Sequence, residues 1–205
     1  MIVVTASDKQ WNELTGLRTN IEWQRVAHAA DFDNHKNADA FFCLKENEIS
    51  EALNFLQKPV IINSAVNTLA ALNLPANIYR INGWPGFLNR SVWEIAGTAN
   101  AAIEKFFSSL NIKINFVKDE PGFISARVIA MIINEAYFSL EDNVSSKTEI
   151  DTAMKLGTNY PLGPFEWALQ ISKENIIALL QQLYLTDSRY KPSQLLITEA
   201  SEKIQ

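Results

Sequence analysis

Through the first half of the chain, short runs of apolar, β-favouring residues alternate with polar segments of helical spacing. Ile2-Val3-Val4-Thr5 is one such run, and Asp8 is placed to cap a helix through about Leu14. Ile21-Glu22-Trp23-Gln24-Arg25-Val26 alternates apolar and polar residues, which predicts a strand with one covered face. Ala40 to Leu44 is apolar throughout and predicts a buried strand. From Glu48 to Leu56, the residues Ile49, Leu53 and Leu56 share one stripe, so a helix is expected there. Pro59 to Asn63, Asn77 to Ile81 and Val92 to Ala96 predict further strands; Thr98 is placed to cap a helix to about Leu110, and Ile112 to Val117 forms a last strand. Strands alternating with helices imply a mostly parallel sheet.

After Pro121 the period becomes helical. Ile124, Val128, Met131, Ile132, Ala136 and Leu140 recur at three- and four-residue spacing over about twenty residues, and Ile129, Ile133, Tyr137 and Phe138 widen that face. Such a helix must be covered on more than one side. Ser146-Lys147-Thr148-Glu149 matches a capping box, Gly157 stands where a terminal cap glycine belongs, and Pro164 suits the first turn of the next helix. Helices are expected at about 173–185 and 193–203. The domain boundary falls near Lys118-Asp119-Glu120-Pro121, giving domains 1–117 and 118–205.

Composition changes this picture little. The 205 residues carry 18 basic and 23 acidic side chains without long single-sign runs, so no basic stripe is present to neutralise nucleic-acid phosphates. Any anionic ligand would need local positive groups, for which Lys118, Arg127 and Arg90 are candidates. The lone Cys43 sits in an apolar run and reads as a buried structural thiol in a reducing compartment. The opening residues lack a basic leader followed by an apolar stretch, and no run approaches the roughly 20 apolar residues that span a bilayer, so a cytoplasmic protein without membrane partners is expected. No metal site is assigned.

Three segments carry a family resemblance. Val117-Lys118-Asp119-Glu120-Pro121-Gly122-Phe123-Ile124, the block from Glu149 to Gly157 continuing through Thr158-Asn159-Tyr160-Pro161-Leu162-Gly163-Pro164-Phe165-Glu166, and Tyr190-Lys191-Pro192-Ser193 together resemble the 3-hydroxyacyl-CoA dehydrogenases, with 3-hydroxybutyryl-CoA dehydrogenases as the nearest type. The likeness is strong over residues 117–196 and weak over 38–116. It implies a reduced Rossmann-like parallel-sheet domain followed by a helical C-terminal domain of the 6-phosphogluconate-dehydrogenase-like kind, which in the family dimerises and forms one wall of the active-site cleft. The central block reads first as a structural device, because its two prolines fix φ and its glycines permit close backbone approach.

The same resemblance implies a site. The family's reaction pairs a histidine base with a glutamate that orients it, beside a nicotinamide. Glu94 falls on the glutamate, and the position twelve residues earlier, where the histidine belongs, is Asn82. Asparagine hydrogen-bonds but has no proton that titrates near neutral pH. His28 and His35 lie far upstream and are expected to be solvated. The family's substrate-polarising asparagine corresponds to Ala126, followed by a retained Arg127, and its Asn-Thr-Ser segment corresponds to Asn63-Ser64-Ala65, with Asn63 kept.

The cofactor-binding half departs further. After the first strand Thr5-Ala6-Ser7-Asp8-Lys9-Gln10 contains no glycine, Asp8 brings a negative charge to the expected phosphate position, and Val26-Ala27-His28 replaces the acidic ribose ligand. No cofactor-binding residue is assigned, and NAD is expected only if the chain is active. Three readings follow. The chain is a catalytically impaired homologue, a pseudoenzyme binding an acyl-CoA-type ligand as a homodimer. Alternatively it is an active NAD-dependent oxidoreductase of fatty-acid metabolism, or a structural or regulatory dimerisation protein that pairs with a full-length paralogue.

Overall fold

A computed structural model describes residues 1–202, so the expected end of the last helix at residue 203 lies outside the described residues. The chain divides into two compact units, Met1–Phe123 and the remainder from Ile124.

The first unit is built on seven strands: β1 (Ile2–Thr5), β2 (Trp23–Arg25), β3 (Ala40–Cys43), β4 (Val60–Asn63), β5 (Ile78–Ile81), β6 (Val92–Ala96) and β7 (Lys113–Phe116). Their order is β2-β1-β3-β4-β5-β6-β7, and every pairing is parallel except β5 with β6. Two helices accompany the sheet, α1 (Asp8–Thr15) and α2 (Ala101–Ser109).

The strands are apolar on both sides because the sheet is covered on both faces. Ile2, Val4, Phe42, Ile61, Tyr79, Trp93 and Ile95 pack with Leu14 of α1 and with Ile103 and Phe107 of α2. The alternate residues, Val3, Phe41, Cys43, Val60, Ile62 and Ile78, face Ala29, Phe32, Leu53 and Leu56. Ala29, Phe32 and Leu53 on this second face come from 3₁₀ segments. The link from β2 to β3 is a single 3₁₀ segment, Ala29–Asn34, which is all that so few residues allow.

Several local expectations need correction. The segment expected as a helix from Glu48 to Leu56 forms two 3₁₀ turns, Glu46–Glu48 and Glu51–Phe55, because Ile49 and Ser50 between them are extended. α1 is capped by Ser7 rather than Asp8, and α2 by Asn100 rather than Thr98. In both cases the side chain one residue before the helix reaches first-turn N–H groups. The second strand is confined to Trp23–Arg25, a sheet edge with little cover.

The second unit is helical: α3 (Ser125–Glu141), α4 (Lys147–Thr158), α5 (Pro164–Ile171), α6 (Lys173–Tyr184) and α7 (Gln194–Ser201). On α3 the buried stripe is Ala126, Ile129, Ala130, Ile133, Asn134, Ala136 and Tyr137, whereas Ile124 and Val128 are exposed, so the broad apolar face turns a different side inward than the spacing suggested. The capping box at Ser146 and Glu149 forms as expected, but α4 runs one residue past Gly157 to Thr158, and Asn159 takes the left-handed cap position at φ 56°.

Here the distinctive sequence block acquires a physical reading. Asp151 on α4 accepts from Phe165 N at 2.8 Å, Lys155 Nζ meets Glu166 at 2.6 Å, and Glu166 accepts from Gly163 N at 2.8 Å, so α4 and the start of α5 are laced together. The Lys191-Pro192-Ser193 turn docks on α3 in the same way. Asn134 donates to Lys191 O at 2.9 Å and accepts from Ser193 N at 2.8 Å, while Glu141 accepts from Ser193 Oγ at 2.6 Å.

Candidate functional site

In an open parallel sheet, ligands bind beyond the carboxyl ends of the strands, at the point where the connections change direction. Here β1 connects outward to β2 and the chain then returns to β3 on the other side, so that point lies between β1 and β3. The residues at this edge are Thr5, Leu44, Asn63 and Asn82, with α1 starting just beyond β1.

Asn82 and Glu94 are brought together by strand pairing. The β5–β6 register matches Arg80 with Ala96 and Ile81 with Ile95; one further step along the same antiparallel register sets Asn82 opposite Glu94. Asn82 is buried, and its side-chain oxygen accepts from Trp84 N at 3.3 Å, a local turn contact. The pair therefore presents a neutral amide beside a carboxylate, with no imidazole. His28 is exposed and lies 3.3 Å from Glu48, where it has no part in this edge.

Asn63 adjoins the pair and is committed structurally. It donates to Leu44 O at 3.2 Å and accepts from Gly83 N at 2.9 Å, bridging the ends of β3 and β5. A side chain at Gly83 would approach Asn63 Cβ to 2.7 Å, which explains the glycine. Ala65 is buried close behind. Ala126 and Arg127 lie in the first turn of α3, in the second unit, Ala126 buried and Arg127 half-buried. Of the candidate positive groups in the first unit, Lys118 and Arg90 are exposed, and Arg90 lies over the Phe87 ring at 4.1 Å.

Three features at this edge were not foreseen. Gln10, Glu13 and Arg18 clamp the loop after β5: Gln10 donates to Gly83 O at 3.0 Å, Glu13 accepts from Gly86 N at 2.8 Å, and Arg18 donates to Leu88 O at 3.0 Å. Glu46 sits in this neighbourhood with its pKa raised from 4.5 to about 7. Burial is the main cause, partly offset by the nearby Ala65 backbone and Trp84 indole. Neither neighbour closes to hydrogen-bond geometry on Glu46 Oε1, and Trp84 Nε1 is likewise buried without a hydrogen-bond partner. Arg80 is fully buried and holds Asp119 at 2.6 Å, Ser64 O at 2.9 Å and Asn67 O at 3.0 Å, with Glu120 O as a further acceptor and the Phe123 ring 4.3 Å away. The sequence signal for Arg80 was a charge inside a strand otherwise buried; the others gave none.

A nicotinamide dinucleotide bound in the ordinary mode would lie along this edge, where two of the positions it uses carry contacts made by the chain's own side chains. Its pyrophosphate would need free N–H groups at the start of α1, but Ser7 Oγ accepts from Gln10 N at 3.3 Å and Gln10 Oε1 accepts from Ser7 N at 3.1 Å. At the end of β2, where an acidic side chain would hold the ribose, stands Arg25, 2.7 Å from Asp8. Among the described residues no group of three or more His, Cys, Asp or Glu side chains is arranged to hold a metal ion, and no helix is long and apolar enough to cross a membrane.

A Rossmann-like parallel sheet followed by a helical domain defines the class, and comparison with known proteins shows what the helical part is similar to. Residues 122–202 match the model described as 3-hydroxyacyl-CoA dehydrogenase, C-terminal domain. The 3-hydroxyadipyl-CoA dehydrogenase of Escherichia coli is 45% identical over 82 residues, covering 39% of this chain and 17% of that protein. The 3-hydroxybutyryl-CoA dehydrogenase of Bradyrhizobium diazoefficiens is 37% identical over 98 residues, covering 47% of this chain and 33% of that protein. The matches thus span well under two thirds of either relative. The crystal structure of (S)-3-hydroxybutyryl-CoA dehydrogenase from Ralstonia eutropha superimposes with a TM-score of 0.74 over 98% of this chain and 93% of that one; at 18% identity this speaks to the fold alone. Over its helical domain, the chain is similar to the C-terminal domain of the 3-hydroxyacyl-CoA dehydrogenases.

Proposed function

We propose that the protein is a catalytically impaired 3-hydroxyacyl-CoA dehydrogenase homologue, a pseudoenzyme that retains the helical domain and binds an acyl-CoA-type ligand as a homodimer in the cytoplasm. The observation that carries this reading is the β5–β6 register, which sets Asn82 opposite Glu94; an amide there supports loss of the base, because it takes no proton near neutral pH. The first turn of α1, capped by its own side chains, supports the same reading for the cofactor, so NAD is not expected as a partner.

Residues 1–117 then serve as a degenerate Rossmann-like domain and 118–205 as the dimerisation domain. Exposed apolar side chains on the second unit, among them Leu156 and Leu169, favour a partner surface there. That observation equally supports a structural or regulatory dimer with a full-length paralogue. The reading as an active NAD-dependent oxidoreductase of fatty-acid metabolism has Glu94 in its favour and lacks the base.

The test is NADH-dependent reduction of acetoacetyl-CoA by the full chain, with thermal shifts recorded for acetoacetyl-CoA alone. No NADH oxidation above the uncatalysed rate, together with a concentration-dependent rise in melting temperature with the thioester, is expected. Asn82→His alone should leave turnover absent. Saturable turnover by the wild-type chain would overturn the proposal.

A further inference from the structure

We infer that the dinucleotide cradle of this chain is closed from within: its own side chains take up the hydrogen-bonding positions that a pyrophosphate and a ribose would use, and so it rejects pyrophosphate-bearing ligands. This rests on the reading that ordinary cofactor use is lost, and it supplies the physical cause.

Gln10 is the plug. It sits on the third residue of α1, is 6% exposed, and every polar group of its amide is satisfied. Its oxygen accepts from Ser7 N at 3.1 Å, and its nitrogen donates to Leu44 O at 2.9 Å and to Gly83 O at 3.0 Å. Those carbonyls belong to the residues just past β3 and β5, so one side chain spans the edge of the sheet where the crevice should open. To admit a phosphate, Gln10 would have to give up its bond to Gly83 O and leave Leu44 O to Asn63 alone, and uncompensated loss of such bonds is disfavoured. Ser7 Oγ meanwhile holds Gln10 N, a first-turn donor that an anion would otherwise take.

The second closure lies toward β2. Arg25 pairs with Asp8 at 2.7 Å, donates to Ala6 O at 2.7 Å and lies 5.7 Å over the Trp11 ring. Asp8 is largely exposed, so this pair adds little to stability. Its effect is on binding. Arg25, the cation that ends β2, is turned back onto the β1–α1 turn, and the exposed Asp8 presents negative charge to any approaching phosphate.

Backbone amide NMR of the full chain, titrated with inorganic pyrophosphate and separately with NADH, tests this. Wild type should show no shifts at Ser7 to Trp11 with either probe. Asp8→Asn combined with Gln10→Ala should bind pyrophosphate at those amides at least about tenfold more tightly, with the gain lost at high salt. Asp8→Asn alone, which keeps the Gln10 plug, should release the Arg25 guanidinium and give pyrophosphate-dependent shifts at Arg25. Shifts at Ser7 to Trp11 in wild type would overturn both this inference and the reading of lost cofactor use. Silent wild type with equally silent variants would overturn the inference alone, because the block would then lie elsewhere. If the double variant loses its fold, the Arg25 response in Asp8→Asn decides: shifts support the closure, none overturns it.

Discussion

Removing the carboxylate of Asp119 should destabilise the first unit strongly. Arg80 has no solvent exposure, and Asp119 is its sole carboxylate partner among the described contacts, at 2.6 Å with a 28% exposed side chain. Asp119 also accepts from Leu69 N at 3.1 Å and Ala70 N at 3.2 Å, so it fastens the segment after β4 as well. Breaking a buried pair from one side typically costs about 3–5 kcal/mol, and the partial exposure of Asp119 places Asp119→Ala near about 3 kcal/mol. Asp119→Asn keeps an acceptor for the guanidinium and should cost about half as much. Four of the five tryptophans, Trp11, Trp23, Trp84 and Trp93, lie in Met1–Phe123, so tryptophan fluorescence in urea reports chiefly on this unit. With a slope of about 2 kcal/mol per molar urea, the midpoint for Asp119→Ala should fall by about 1–2 M. Arg80→Met should be nearly as damaging alone, because Ser64 O and Glu120 O lose their donor and Asn67 O keeps only Ser64 Oγ. In combination with Asp119→Ala the losses should fall short of additive by about 1–2 kcal/mol. An Asp119→Ala midpoint within about 0.5 kcal/mol of wild type, or strict additivity in the cycle, would refute the account of Arg80 as a buried cation held by Asp119.

Two further outcomes follow from the same geometry. The Glu46 pKa is raised in the folded state to about 7 from 4.5, so its contribution to stability is complete below 4.5 and is lost as pH rises through 7. That amounts to at most about 3 kcal/mol, and Glu46→Gln should flatten the pH dependence of the urea midpoint between about pH 5 and pH 8; a wild-type profile no steeper than the variant's would show the carboxyl is not held protonated. In the second unit, Gly163→Ala should destabilise by more than about 2 kcal/mol, since the added methyl would stand 2.5 Å from Asp151 Cα. Gly157→Ala meets nothing within 4 Å inside α4 and should stabilise by about 0.5–1 kcal/mol. Circular-dichroism melts of the two variants decide this, and equal effects would remove the distinction between a packing glycine and an incidental one.

What the sequence determined by itself is local and periodic. Ile2 to Thr5, Ala40 to Cys43 and Val60 to Asn63 are strands because apolar β-favouring runs of that length have one economical conformation, and both faces of a parallel sheet must be buried. The Ser146–Glu149 capping box and Pro164 at a helix start likewise act within a few residues. The block from Glu149 to Glu166 was legible for the same reason: Asp151 bonds Phe165, and Lys155 and Gly163 both bond Glu166, all at short separation. Glu94 and Asn82 could be aligned by count, and only the antiparallel β5–β6 register shows why that count matters.

Tertiary structure alone decided the rest. The side of α3 that is buried depended on what it packs against, since apolar residues occupy most of its circumference. The stripe from Glu48 to Leu56 lost its helix to two extended residues. Gln10 reads in the sequence as an ordinary surface residue of a helix's first turn; it becomes the plug of the crevice because Leu44 and Gly83, 34 and 73 residues away, bring their carbonyls to it. Partners at such distances leave no periodic trace, because the constraint acts through the sheet and not along the chain.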